Sequence, residues 1–273
     1  MTDAIAFIGG GNMARSLIGG LIARGRAPAS IHVAEPVAAL RDLLHADFGV
    51  TVFDDGAAAV ADASTWVFAV KPQVMRIVCE SLSEQAQANR PLVISIAAGI
   101  TGTQLERWLG GALPVVRTMP NTPALLGAGI TGLHANDEVD ASGREFADTL
   151  LATAGKTVWI EDEGLMDAVT GISGSGPAYI FLMAEAMIDA GIAEGLPAEA
   201  ARNLVLETVL GAARMLTEAD APAPAELRRR VTSPNGTTQA AIETFETGGL
   251  RTLVADAIHA ARKRGAELAA ANE

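Results

Sequence analysis

The chain has 273 residues, 49% of them apolar and only 4% aromatic, with a formal charge of −12 from 20 basic and 32 acidic residues. That length builds one large domain or two ordinary ones around a well-filled core. The acidic balance argues against a nucleic-acid-binding surface, which carries a basic patch, and the single cysteine, Cys79, excludes an intramolecular disulfide.

Residues 4–8 form a short continuous apolar run that ends in glycine, the pattern of a strand buried on both faces. Residues 12–24 then place Met13, Leu17, Ile18, Leu21 and Ile22 on one helical face. The alternation continues with strands over 31–34, 51–53, 65–70, 92–96 and 114–117 and helices over 38–44, 57–61, 74–82 and 103–109. Two further strands, 130–134 and 157–160, flank a helix over 142–152. Strands alternating with helices in this way predict an α/β domain with a parallel sheet.

After about residue 160 the period changes from 2 to 3.6 and only helices are expected, over 162–171, 177–190, 198–216, 224–231, 237–246 and 250–271. The predicted organisation is a dinucleotide-binding domain over 1–160 and an all-α domain over 161–273. Helices 177–190 and 198–216 are apolar on more than one side, which fits a subunit interface or a helix central to its own bundle. The apolar stretches are interrupted, so no membrane span is expected. With no leader pattern, the expected location is the cytoplasm. His32, His45, His134 and His259 are scattered, and no Cys/His cluster has metal-ligand spacing.

Gly9-Gly10-Gly11-Asn12-Met13-Ala14 follows Ile8 at the first strand's end and fits G-x-G-x-x-A, the Rossmann fingerprint for a dinucleotide. Gly9 supplies the tight turn, Gly11 lets the backbone approach a pyrophosphate, and Ala14 allows close helix packing. Glu35 and Pro36 end the second strand, where an acidic side chain accepts from a ribose 2′-hydroxyl and repels a 2′-phosphate. That favours NAD, although Arg41 follows one turn later. Val70, Lys71 and Pro72 reach the carboxyl edge of the sheet, where Lys71 is either a cofactor contact or a solvated loop lysine. Ser95 to Gly99 end the next strand in small residues that suit a nicotinamide ring, with Ala97 among them. Met119 and Asn121 lie in a loop stiffened by Pro120 and Pro123 at the same edge. Ser173-Gly174-Ser175-Gly176-Pro177 is a close-approach loop that either lines a pocket or lets helices cross. Val231-Thr232-Ser233-Pro234-Asn235-Gly236-Thr237-Thr238 precedes a helix, and reads as an ordinary N-cap or as an anion site made of backbone amides.

Taken together, these segments resemble pyrroline-5-carboxylate reductase from the first strand to the last helix, most specifically at 167–179 and 231–238. The resemblance implies NAD(P)H-dependent reduction of 1-pyrroline-5-carboxylate to L-proline. It also implies a helical dimerisation domain that swaps helices with its partner, and assembly of dimers into decamers. The sequence departs from the family at Asn235, where glycine is usual, and at Glu35, unusual where NADPH is commonly accepted. The substrate is a cyclic imine whose protonated C=N carbon is already a strong electrophile, so positioning matters more than acid–base machinery. Candidate substrate residues are Met119, Asn121, Ser175, Ser233, Gly236, Thr237 and Thr238. Amides at 236–238 would hold the carboxylate, and the Thr238 hydroxyl would orient the ring nitrogen as the catalytic group. The β-hydroxyacid dehydrogenases, which share the two-domain plan, need a lysine on the helix opening the second domain. This chain has Lys71, Lys156 and Lys263 and none between them in the helical region before 263. A non-catalytic NAD(P) sensor would not need an intact 233–238 loop.

Overall fold

The computed structural model describes residues 4–271. Its first part alternates β1 (Ala4–Ile8), α1 (Asn12–Ala23), β2 (Ile31–Ala34), α2 (Ala38–Phe48), β3 (Thr51–Phe53), α3 (Gly56–Val60) and β4 (Ala63–Phe68). It continues through α4 (Pro72–Asn89), β5 (Leu92–Ser95), α5 (Gly102–Trp108), β6 (Val115–Met119), β7 (Gly129–Ala135), α6 (Ala141–Leu151) and β8 (Gly155–Trp159). One eight-stranded sheet results, in the order β3-β2-β1-β4-β5-β6-β7-β8. The order reverses beside β1, which makes the gap between β1 and β4 the switch point where ligands of such sheets bind.

Alternation along β1 explains its unbroken apolar run. Ile5 and Phe7 join one core with Leu17, Ile18 and Val33, while Ala6 and Ile8 join the other with Trp66, Phe68 and Met75. The sheet is not wholly parallel as the sequence pattern suggests, because β7 runs antiparallel to β6 with Val116 opposite Ala135. Only residues 120–128, which include the turn Thr122–Leu126, separate these strands, too little chain for a crossover helix. Helix α4 is also longer than expected. Pro72 starts it at a first helical position, and Leu82 and Ala86 keep its later turns on the core.

Beyond β8 come α7 (Met166–Val169), a π-turn over Thr170–Gly174, α8 (Gly176–Ala193), α9 (Ala198–Thr217), α10 (Pro224–Arg230), α11 (Thr237–Thr247) and α12 (Leu250–Ala271). Contacts divide the chain into one unit of Met1–Ser175 with His259–Glu273, and a second of Gly176–Ile258. The strands end at Trp159, but the first unit extends to Ser175 because α7 packs on β7. A side chain at Gly132 would meet Val169 Cγ1 at 2.6 Å. The end of α12 also belongs to the first unit, with Leu268 against Gly99 and the Ala269 carbonyl accepting from Gln104 Nε2 at 2.9 Å.

In the second unit α8 packs on α9, yet only Ala184, Ala201 and Val205 of these helices are buried. Phe181, Leu182, Leu204 and Leu210 are exposed. Among the described residues one helical stretch, Glu163–Ala193, is long and apolar enough by length and composition to cross a membrane. The sequence pattern misses this length because it treats Ser173–Gly176 as a loop. The chain instead passes through it helically, with the Ser175 amide donating to the Thr170 carbonyl at 2.8 Å.

Candidate functional site

The glycine loop is tied to both neighbouring strands. The Gly9 amide donates to the Ala34 carbonyl at 2.9 Å, and the Ala69 amide donates to the Ile8 carbonyl at 2.8 Å. Gly9 has φ +104°, and a Cβ there would lie 2.7 Å from the Ala69 carbonyl oxygen. Gly11 differs: its backbone is ordinary, it caps α1 without any side-chain hydrogen bond, and nothing lies within 4 Å of the place its Cβ would take. Open space over amides at a helix start fits the pyrophosphate of a dinucleotide. Ile8, Gly9, Gly11, Asn12 and Met13 all contribute to this end of the first unit.

Glu35 is buried, at 8% exposure, beside the loop. Its Oε2 accepts from the Gly10 amide at 3.2 Å and its Oε1 from the Val37 amide at 3.1 Å. Arg41 Nη1 donates to the carbonyls of Glu35 and Pro36 at 2.7 and 2.9 Å. Val70 and Lys71 follow β4; Lys71 is exposed and caps α4, and Pro72 is that helix's first residue. Ala97 is buried, and its amide donates to Ser95 Oγ at 3.3 Å. Gly99, by contrast, is filled from the protein side by Leu268.

The carboxyl end of β6 gathers a second cluster. Thr118 Oγ1 donates to the Ser95 carbonyl at 2.9 Å. Asn121 Nδ2 donates to the Ser173 carbonyl at 3.1 Å, and its Oδ1 accepts from the Ile130 amide at 3.0 Å. A Cβ on Gly174 would meet Met119 Cε at 2.5 Å. The Met119–Asn121 loop and the turn ending at Ser175 are therefore brought together, with Asn121 as the link. Beneath them Arg117, 5% exposed, pairs with Glu163 at 3.2 Å and Asp167 at 3.0 Å. Glu163 Oε1 also accepts from the Gly102 amide at the head of α5, at 2.7 Å. The sequence reading passes over this triad. Its signal is an arginine inside the apolar run Val115-Val116-Arg117, where a charge demands partners.

Residues 233–238 lie in the second unit. The Gly236 amide donates to the Ser233 carbonyl at 3.0 Å, and Asn235 has φ +57°. Proline second and a left-handed third residue are what a type II turn requires, so Asn235 occupies a position where glycine is at ease. Replacing Asn235 with Gly should leave activity within about twofold, while Val should lower it about tenfold, because a β-branched residue is strained by 1–3 kcal/mol there; kcat/KM for both variants decides this. The Gly236 amide is thus used inside the turn, which alters the expected donor set. Gly236 caps α11 with no side-chain hydrogen bond, and among the described residues the amides of Thr237, Thr238 and Gln239 have no protein acceptor. Gln239 Oε1 accepts from the Asn235 amide at 2.7 Å and braces the turn.

The neighbouring arginine run is paired with acids rather than free for a ligand: Arg228 with Glu246, and Arg229 and Arg230 with Glu226. Hydrogen bonds from Arg229 and Arg230 hold the Glu226 carboxyl down to about 2. Burial pushes the Cys79 thiol up to about 12, so it stays an unreactive packing group. Among the described residues no group of three or more His, Cys, Asp or Glu is placed to hold a metal ion.

Residues 4–99 match a family of NADP oxidoreductases, coenzyme F420-dependent, and residues 163–268 match the pyrroline-5-carboxylate reductase dimerisation family. A pyrroline-5-carboxylate reductase of Pseudomonas aeruginosa is 52% identical, over 98% of this chain and 97% of its own. One from Synechocystis is 42% identical over 98% and 99%. The solved structure of a pyrroline-5-carboxylate reductase from Coxiella burnetii superposes with a TM-score of 0.93 at 42% identity, covering 98% of this chain and 99% of that one. The Plasmodium falciparum pyrroline carboxylate reductase with NADP bound gives 0.85 at 27% identity, covering 98% of each.

Proposed function

The chain belongs to the pyrroline-5-carboxylate reductase family, and we propose that it reduces 1-pyrroline-5-carboxylate to L-proline with NAD(P)H, the last step of proline synthesis, in the cytoplasm. Support comes above all from the uncharged turn at 233–238, which offers helix-start amides and two threonine hydroxyls and no group that would repel an iminium. In this reading residues 1–160 bind the dinucleotide and 161–273 provide substrate contacts and the dimer interface. Ile8, Gly9, Gly11, Asn12, Met13, Glu35, Pro36, Val70, Lys71, Pro72 and Ala97 hold the coenzyme. When bound, the reduced nicotinamide supplies the hydride.

The chain's own residues orient and bind. Thr237 and Thr238 amides hold the substrate carboxylate, with Ser233 and Gly236 shaping the turn around it. The Thr238 hydroxyl hydrogen-bonds the ring nitrogen and fixes the ring; it relays a proton from water to the nitrogen of the neutral imine, giving the iminium whose carbon accepts the hydride. Met119, Asn121 and Ser175, gathered at the end of β6, are the first unit's candidate substrate contacts. The exposed apolar faces of α8 and α9 are covered by a second copy, and five such dimers form a decamer; sedimentation of the intact protein as a plain dimer would remove that last step.

The direct test is oxidation of NADH or NADPH on addition of pyrroline-5-carboxylate. Activity on a β-hydroxyacid without activity on the imine would favour the related dehydrogenases instead. Thr238→Ala should lower kcat/KM about tenfold or more, roughly 1.4 kcal/mol, and wild-type kinetics in that variant would take Thr238 out of the reaction.

A further inference from the structure

We propose that Glu35 makes the coenzyme site selective for a dinucleotide with a free ribose 2′-hydroxyl, because its carboxylate already fills the anion position that a 2′-phosphate would need. The inference rests on the reading that the glycine loop binds a dinucleotide coenzyme. Glu35 ends β2, the strand next to β1, and in this fold that position faces the adenosine ribose.

An anion at this position would look to the loop amides for donors. The Gly10 and Val37 amides are the donors that point there, and both are taken by the two oxygens of Glu35, at 3.2 and 3.1 Å. A 2′-phosphate would have to displace a buried carboxylate from its partners while bringing its own negative charge against it, and like charges set together at low exposure are strongly disfavoured. A hydroxyl meets neither obstacle. A carboxylate has about four lone-pair sites, so after accepting from two amides it can still accept from a 2′-hydroxyl.

The nearby cations are drawn toward other acceptors. Arg41, the guanidinium on the facing turn of α2, is directed at the backbone carbonyls of Glu35 and Pro36, at 2.7 and 2.9 Å. Arg15 on α1 is paired with Asp47 at the far end of α2. The same contacts give Glu35 a second consequence. It braces Gly10, whose own side-chain position is closed by Leu44 Cδ1 at 2.5 Å, so the carboxylate selects the ribose and positions the pyrophosphate loop together.

The test is direct binding, followed by the change in nicotinamide fluorescence, of NADH and NADPH to the intact protein and to Glu35→Gln and Glu35→Ser. ADP-ribose and its 2′-phosphorylated form, titrated by calorimetry, isolate the adenosine end. The wild type should bind NADH at least about tenfold tighter than NADPH, with the same order for the two fragments. Glu35→Gln keeps the shape and one amide acceptor but removes the charge, and should shrink the ratio severalfold; Glu35→Ser should bring the two coenzymes level or invert them. Equal or tighter binding of NADPH by the wild type overturns the proposal, as does an unchanged ratio in both variants. Strong selective binding of NADH without reduction of pyrroline-5-carboxylate would leave this inference standing and remove the assigned reaction. Binding of neither coenzyme would end both.

Discussion

Arg117→Met should cost about 3 kcal/mol or more of folding stability, within the range measured when one partner of a buried ion pair is removed. The side chain is long enough to keep the packing of the arginine stem, so the loss is electrostatic. Glu163 and Asp167 would remain mostly buried with their common cation gone. Glu163 keeps the Gly102 amide at the head of α5 and so retains part of its stabilisation, whereas Asp167 sits under α12 with its Oδ1 3.4 Å from where a Gly265 Cβ would stand. Urea unfolding at one fixed protein concentration measures the effect, since self-association shifts apparent stability. Adding Asp167→Asn to Arg117→Met should recover part of the loss, because an amide tolerates burial that a carboxylate does not. A single variant as stable as the wild type would mean that the triad is hydrated and incidental.

The same triad shows where sequence reasoning stops. Period alone places the strands, because a strand buried on both faces such as β1 must be apolar throughout. The glycine loop was legible since its chemistry is carried by backbone shape. Pairings between distant elements were not: nothing local ties Arg117 to Glu163 and Asp167, or Asn121 to the Ser173 carbonyl. The direction of β7 depended on the length of a turn rather than on its own residues. The Ser-Gly-Ser-Gly segment before Pro177 has the pattern of a loop, but the flanking helices and the packing of Met119 on Gly174 carry it through as a π-turn. At 233–238 the turn chemistry is visible in the sequence, but that the Gly236 amide is spent inside the turn depends on its three-dimensional closure onto the Ser233 carbonyl.

Gly9→Ala and Gly11→Ala form a pair whose difference separates two uses of glycine in one loop. At Gly9 the φ of +104° is itself strained for alanine by 1–3 kcal/mol. The added methyl would also stand 2.7 Å from the Ala69 oxygen and 2.9 Å from its carbonyl carbon. Neither backbone can yield cheaply, since hydrogen bonds to Ala34 and Ile8 pin both sides. The loop must therefore shift, and the start of α1 shifts with it. Thermal unfolding should come several degrees lower, and coenzyme affinity should fall about 100-fold, roughly 2.7 kcal/mol. Gly11→Ala meets no atom within 4 Å and has an ordinary backbone, φ −69°, so its stability should stay within about 0.5 kcal/mol of the wild type. Its coenzyme affinity should nonetheless drop tenfold or more, because the methyl would occupy the approach that the absent side chain leaves open to a pyrophosphate. A Gly11→Ala protein that binds NADH as the wild type does would show that the open space over α1 is solvent and not the seat of the coenzyme. Loss of affinity without loss of stability there, beside loss of both at Gly9, would separate the glycine that lets the loop fold from the glycine that lets the ligand in.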